Sequence, residues 1–262
     1  MRVVILESPP DVSSRAADLI CQAVTAQPQI VLGLATGGTP LGTYRELVER
    51  YRAGRVSFSQ VTTFNLDEYI GLPREHEQSY WSFMHHNLFS LADFPPERCH
   101  LPDGQASDTA VACSEYEQRI AAAGGIDLQL LGIGTDGHIA FNEPGSSLAS
   151  RTRLKALTEQ TRRDNARFFA SLDEVPKLSM TMGVGSILSA KRILLLATGL
   201  NKAAATAALV EGPVTAQVPA SALQLHPQVT VLLDRDSASQ LKRADYYQEV
   251  EFIQRGLEHC YN

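Results

Sequence analysis

The sequence has no apolar run approaching the roughly 18 residues that a helix needs to cross a bilayer, so no membrane span is expected. Positive charge is not in excess: 23 Lys and Arg stand against 29 Asp and Glu, a net charge of -6. A mildly acidic chain does not hold nucleic acid or an anionic membrane by bulk charge, which leaves room only for a local basic pocket. Cysteine is sparse. Cys21, Cys99, Cys113 and Cys260 are scattered, with no Cys-x-x-Cys pair and no His spacing suited to zinc. They read as reduced thiols of a cytoplasmic chain rather than a disulfide frame. The opening MRVVILESPP is too short in apolar residues for a secretory signal. No repeat, low-complexity tract or linker interrupts the 262 residues, and one domain is the expected organisation.

What is present is an alternation of short apolar runs with amphipathic stretches. Val3–Leu6, Ile30–Ala35, Val61–Leu66, Ile126–Ile133, Arg192–Ala197 and Val229–Leu233 read as strands. Val12–Ala26 with Asp11 as its cap, Thr43–Arg52, Tyr80–Phe89 and Ala110–Ala123 read as helices, the last closed by Gly124-Gly125. Continuous apolar strands between helices predict an α/β fold: a Rossmann-like open, mostly parallel sheet with helices on both faces, in three layers. Such sheets bind ligands beyond the carboxyl ends of their strands, so the residues just after each strand carry the functional signal.

Three strand ends stand out. Thr36-Gly37-Gly38-Thr39-Pro40 follows the second strand and opens a helix. Glycines let the backbone approach a ligand, and the helix N-terminus favours an anion, most naturally a phosphate. This turn is neither the dinucleotide fingerprint nor a P-loop, and a plain glycine turn is the competing explanation. Phe64-Asn65-Leu66-Asp67-Glu68-Tyr69 puts two carboxylates beyond an apolar strand. A partly desolvated carboxylate there has a raised pKa and serves as a base, whereas a bland pair would cap the next segment and face solvent. Gly132-Ile133-Gly134-Thr135-Asp136-Gly137-His138 continues to Glu143 in one loop. A carboxylate beside an imidazole orients it and raises its basicity. A metal is the rival there, weakened because no second His lies nearby, and no metal is expected. Lys202, just after the strand ending at Ala197, and Arg167 could complete an anion clamp, although most such side chains are merely exposed.

The segments VLGLATGGTPLGTYREL, FNLDEYIGLP, LGIGTDGHIAFNEPGSSLASRTR, TRRDNARFF and ASALQLHP, in that order, resemble the glucosamine-6-phosphate deaminases. The resemblance implies a cytoplasmic enzyme that opens glucosamine 6-phosphate, isomerises it and releases ammonia and fructose 6-phosphate without a cofactor. It implies Asp67 as the base that moves the C2 proton to C1, and His138 as the ring-opening base, tuned by Asp136 and Glu143. Thr36, Gly37, Gly38, Thr39, Arg167 and Lys202 would bind substrate, the last five matching the family's phosphate set. The region from about 158 to 182 resembles a mobile lid. Some members are hexamers activated by N-acetylglucosamine 6-phosphate. Ser146, Arg153 and Lys155 resemble that allosteric site, while Ala156 stands where activated members carry Thr. A homo-oligomer is expected on family grounds alone. The alternatives are a 6-phosphogluconolactonase-like hydrolase, which would not need Asp67, and a non-catalytic sugar-phosphate sensor, for which this chain offers no second domain.

Overall fold

The computed structural model describes residues 1–166, 169 and 171–260. The chain opens with β1 (Arg2–Leu6) and α1 (Pro9–Ala26). The cap of α1 is Ser8 rather than the expected Asp11. The Ser8 hydroxyl accepts from the Asp11 amide at 3.4 Å and donates to its carboxylate at 2.5 Å. Ser followed three residues later by an acid is a capping pattern, and Pro9 fits the first helical position because it has no amide to satisfy. There follow β2 (Val31–Leu34), α2 (Leu41–Arg52), β3 (Thr62–Asn65), β4 (Asp67–Tyr69), α3 (Tyr80–Asn87), β5 (Cys99–His100) and α4 (Thr109–Ala122). Gly124 and Gly125 close α4 with φ of 86° and 81°, a conformation that costs glycine little. The second half contains β6 (Leu128–Leu131), β7 (Arg153–Ala156), α5 (Glu159–Ala166), β8 (Leu178–Thr181) and α6 (Val184–Leu188). It ends with β9 (Ile193–Ala197), α7 (Ala203–Glu211), β10 (Val229–Asp234) and α8 (Ala244–Cys260).

Seven strands form a parallel sheet in the order β1-β10-β9-β6-β2-β3-β5. All five residues of β9 are buried, as expected of a strand covered on both faces. Alternate side chains feed two cores. Leu131, Leu195 and Val231 pack with α4, α6 and α7, while Leu130, Leu196 and Leu232 pack with α1 and α2. From β2 the chain builds toward β3 and β5; from β6 it builds the other way, toward β9 and β10. The strand order therefore reverses between β2 and β6, where a doubly wound sheet leaves a crevice.

A second sheet, β4-β8-β7, is antiparallel and was not expected. Leu66 is the junction. Its amide donates to the Leu34 carbonyl of the large sheet at 3.1 Å, and its own carbonyl accepts from the Met182 amide, beyond β8, at 2.7 Å. The stretch likened to a lid is accordingly divided. Its first part holds α5, but Leu178–Thr181 is a strand, and Met180 and Met182 are fully buried. That end is core, which narrows any lid to the residues before Leu178. Among the described residues, no helix is long and apolar enough to cross a membrane.

Candidate active site

A cavity of about 770 Å³ opens at the carboxyl ends of β2, β6 and β9, and Asp67 at the start of β4 lines it too. It brings together Thr36, Gly37, Gly38 and Thr39 with Asp67, His138 and Lys202, residues from four separate strand ends. Arg167 lies outside the described residues.

The glycine turn shows why each residue type is there. Gly37 has φ of 101°, which a side chain would strain. A Cβ at Gly37 or Gly38 would meet no atom within 4 Å, so the bare backbone borders open space. No side chain caps α2, whose N-cap is Pro40, and its first turn holds no acidic residue. The first-turn amides are left for a ligand, and the helix dipole favours an anion. The turn is anchored from below by Tyr44, buried, whose hydroxyl donates to the Ala35 carbonyl at 2.5 Å.

Asp67 and Glu68 do different work. The carboxylate of Glu68 accepts from the amides of Tyr69, Tyr80 and Trp81 at 2.8, 2.9 and 2.9 Å. With Ser79, which takes the Ser82 amide at 3.0 Å, it satisfies the first turn of α3. Asp67 is not solvated: it is 5% exposed, on the cavity wall. Burial, and then the charge of Glu68, push its pKa up to about 8. A carboxyl held near neutrality is suited to taking and returning a proton.

His138 is held by its loop. The Gly134 amide donates to the His138 carbonyl at 2.9 Å, and the Gly137 amide to the Gly134 carbonyl at 3.1 Å. Gly134 lies against the imidazole so closely that a Cβ there would sit 2.2 Å from ring atoms. Nδ1 of His138 lies 2.7 Å from Oδ1 of Asp136. It is close in distance but not aligned as an ideal hydrogen bond. The same oxygen accepts from the His138 amide at 3.1 Å. The ring beside it holds the Asp136 carboxylate down to about 2, so Asp136 stays charged. Ala140, on the cavity wall, has φ of 51°, the one non-glycine in the left-handed region among the described residues. Gly132, Gly134 and Gly137 have G-x-G-x-x-G spacing, yet the chain bends back after Gly137 instead of opening a helix, so the phosphate-binding element of a dinucleotide fold is missing.

Glu143 was expected beside His138, but among the described residues no hydrogen bond joins the two. Its Oε1 accepts from the Thr158 amide at 3.2 Å and from the hydroxyls of Thr158 and Thr161 at 2.9 and 2.5 Å. Those groups belong to the start of α5, so the buried Glu143 ties the loop of His138 to that helix. Lys202 follows Gly199, whose amide donates to Asp234 at 3.0 Å, and its place after β9 brings it to the cavity. Ser146 is buried with an unpartnered hydroxyl, and Arg153 and Lys155 lie on β7; none of the three lines this cavity. Sequence reasoning missed Tyr80, Thr198 and Asn201, which also line it. Thr198 and Asn201 sit in the same strand-end segment as Lys202 and were open to the same rule. Among the described residues, no three His, Cys, Asp or Glu converge as they would around a metal ion.

Comparison with known proteins agrees with this geometry. The family model described as glucosamine-6-phosphate isomerases/6-phosphogluconolactonase matches residues 8–232. A glucosamine-6-phosphate deaminase of Mycolicibacterium smegmatis is 54% identical over 95% of this chain and 96% of its own. One from Hahella chejuensis is 52% identical over 96% of each chain. A solved structure of a monomeric glucosamine-6-phosphate deaminase has a TM-score of 0.90 at 48% identity, covering 92% of this chain and all of its own. A 6-phosphogluconolactonase from Leishmania guyanensis shares the fold, with a TM-score of 0.72 at 24% identity over 90% of this chain and 97% of its own. The chain belongs to the glucosamine-6-phosphate isomerase/6-phosphogluconolactonase family, and groups there with the glucosamine-6-phosphate deaminases.

Proposed function

We propose that the protein converts glucosamine 6-phosphate and water to fructose 6-phosphate and ammonia, with Asp67 and His138 as its proton-transfer groups. The observation that carries this reading is the pairing of a buried carboxyl near neutrality with a carboxylate-flanked imidazole in one cavity beside an anion-favouring turn. The phosphate sits on Gly37–Thr39, with Thr36, Lys202 and Arg167 completing the subsite. His138 takes the proton of the anomeric hydroxyl and returns it to the ring oxygen as the C1–O5 bond breaks. The charged Asp136 stabilises the imidazolium formed between those steps. Asp67 then removes the proton from C2, leaving an enolamine, and delivers it to C1. The resulting C2 imine adds water and expels ammonia.

The raised pKa of Asp67 is consistent with this order. In the empty site it is largely protonated at pH 7. The ammonium of the bound substrate, next to C2, draws it down and generates the base where the proton is to be removed. Glu143 joins Asp136 in tuning the imidazole and also ties its loop to the start of α5, and the region from about 158 to the start of β8 forms the lid that excludes water. A lactonase has no step that needs Asp67. The reading includes a cytoplasmic location, supported by the acidic composition and unpaired cysteine spacing. The resemblance supports an effector site at Ser146, Arg153 and Lys155 in an oligomer; Ala156 weighs against the effector site, and the monomeric relative weighs against the oligomer.

The test is release of ammonia and fructose 6-phosphate from glucosamine 6-phosphate by the purified protein, with and without N-acetylglucosamine 6-phosphate. Equal molar release of both products supports the reading, and acceleration by the second sugar supports the effector site. Absence of both products, with hydrolysis of 6-phosphogluconolactone, would replace it with the lactonase reading.

A further inference from the structure

We propose that Arg45 is a third cation of the phosphate subsite, beside Lys202 and Arg167, drawing the dianionic end of the sugar phosphate into the cavity. The inference rests on the reading of Thr36–Thr39 as the phosphate turn. Arg45 lies in the second turn of α2 and lines the same cavity as Gly37, Gly38, Thr39 and Lys202. It is exposed, and among the described residues no carboxylate pairs with its guanidinium. Its neighbour Glu46 is engaged elsewhere, accepting from Arg50 at 2.5 Å. Some exposed arginines are paired, Arg52 with Glu49, Arg163 with Glu159 and Arg235 with Glu7, while others such as Arg55 and Arg192 are not, among the described residues; what sets Arg45 apart from these is its place on the cavity wall. A cation near a helix N-terminus works against the helix dipole, and no acid in the first turn of α2 offsets it. Arg45 and Lys202 therefore put positive charge at this end of the cavity, against Glu46, which also lines it but is drawn toward Arg50, and against a net charge of -6 for the whole chain. An exposed charge of this kind acts through solvent, on capture and retention of the phosphate, and leaves the proton transfers alone.

A unit charge roughly 8 Å from a dianion in water changes its local concentration by about fivefold before screening. Most of that survives at about 0.01 M ionic strength, and almost none at about 1 M. The experiment measures kcat and KM for glucosamine 6-phosphate across that range of a monovalent salt, in the unaltered protein, Arg45→Ala, Arg45→Lys and Arg45→Glu. At low salt KM is expected to rise about fourfold in Arg45→Ala and about tenfold or more in Arg45→Glu, with kcat unchanged. Arg45→Lys stays close to the unaltered protein, and all four converge at high salt. At fixed ionic strength, the inhibition constant of inorganic phosphate rises in parallel with KM. Equal KM values at low salt, or a loss that does not depend on salt, overturn the role of Arg45. If inorganic phosphate fails to compete even in the unaltered protein, the phosphate assignment of the turn falls, and the role of Arg45 with it.

Discussion

Replacing Asp67 with Asn is expected to remove turnover and to make the protein more stable. Burial, and then the charge of Glu68, lift this carboxyl from 3.8 to about 8. At 1.36 kcal/mol per pH unit, the charged form is disfavoured in the fold by roughly 6 kcal/mol, of which about 4 kcal/mol is felt at pH 7. Relaxation and water entry reduce such penalties, so about 2 kcal/mol is the working figure, or roughly 4–8 °C in Tm for a chain of this size. The sign follows from linkage. Below pH 4 the carboxyl is protonated in both folded and unfolded chains, and Asn has no advantage. Between pH 4 and 8 the unfolded chain has released its proton while the folded site retains it, so the advantage of Asn grows with pH. Above pH 8 it is constant. Calorimetry of both proteins at pH 5, 6.5 and 8 measures this directly. A Tm difference that does not change with pH, or a less stable variant, would refute the account of a carboxyl held under strain by burial. In the same variant, kcat is expected to fall by about 10²–10⁴-fold with substrate binding kept, since the amide cannot accept the C2 proton.

Three further outcomes follow from the same geometry. The profile of kcat/KM should rise with pH to a limb near 8, reporting free Asp67, while the limb in kcat lies lower because bound substrate brings its ammonium; coincident limbs would count against that coupling. His138→Gln should slow the pyranose far more than an open-chain analogue, and equal losses on both would assign His138 another role. Gly134→Ala puts a methyl 2.2 Å from the imidazole. It should cost about 10²-fold in kcat by moving the ring off Asp136, and an unimpaired enzyme would show that this placement is not needed.

The large sheet was legible because its strands are buried on both faces and therefore read as unbroken apolar runs, as in Ile193–Ala197. The strand-end rule then found the glycine turn, Asp67, His138 and Lys202 without any view of their proximity. The small sheet was not legible. β4 is three residues, begins two positions after β3 ends, and finds its partner more than a hundred residues later, where no local pattern reaches. β7, with Arg153 and Lys155 half-buried, lacks the apolar alternation of an ordinary half-buried strand. For Glu143, nearness in sequence gave no hint of its bonds to Thr158 and Thr161, which lie at the start of α5, past β7 in the chain. For α1, the eye stopped at the acid, although Ser8 and Pro9 before it make the better start. The capping expectation for the Asp67-Glu68 pair holds for one of the two, since Glu68 does cap α3.

Leu66 joins two sheets by hydrogen bonds on its two sides, and the chemistry is divided at that residue. The glycine turn belongs to the large sheet; Asp67 is the first residue of the small one, opposite Thr181. If the phosphate sits on the turn and Asp67 takes the carbon proton, as proposed, the join at Leu66 sets the distance between them, and the carbon that loses its proton is the one lying at that distance. Selection for a longer or shorter sugar phosphate would act on the contacts of the small sheet, leaving the turn and the imidazole loop unchanged.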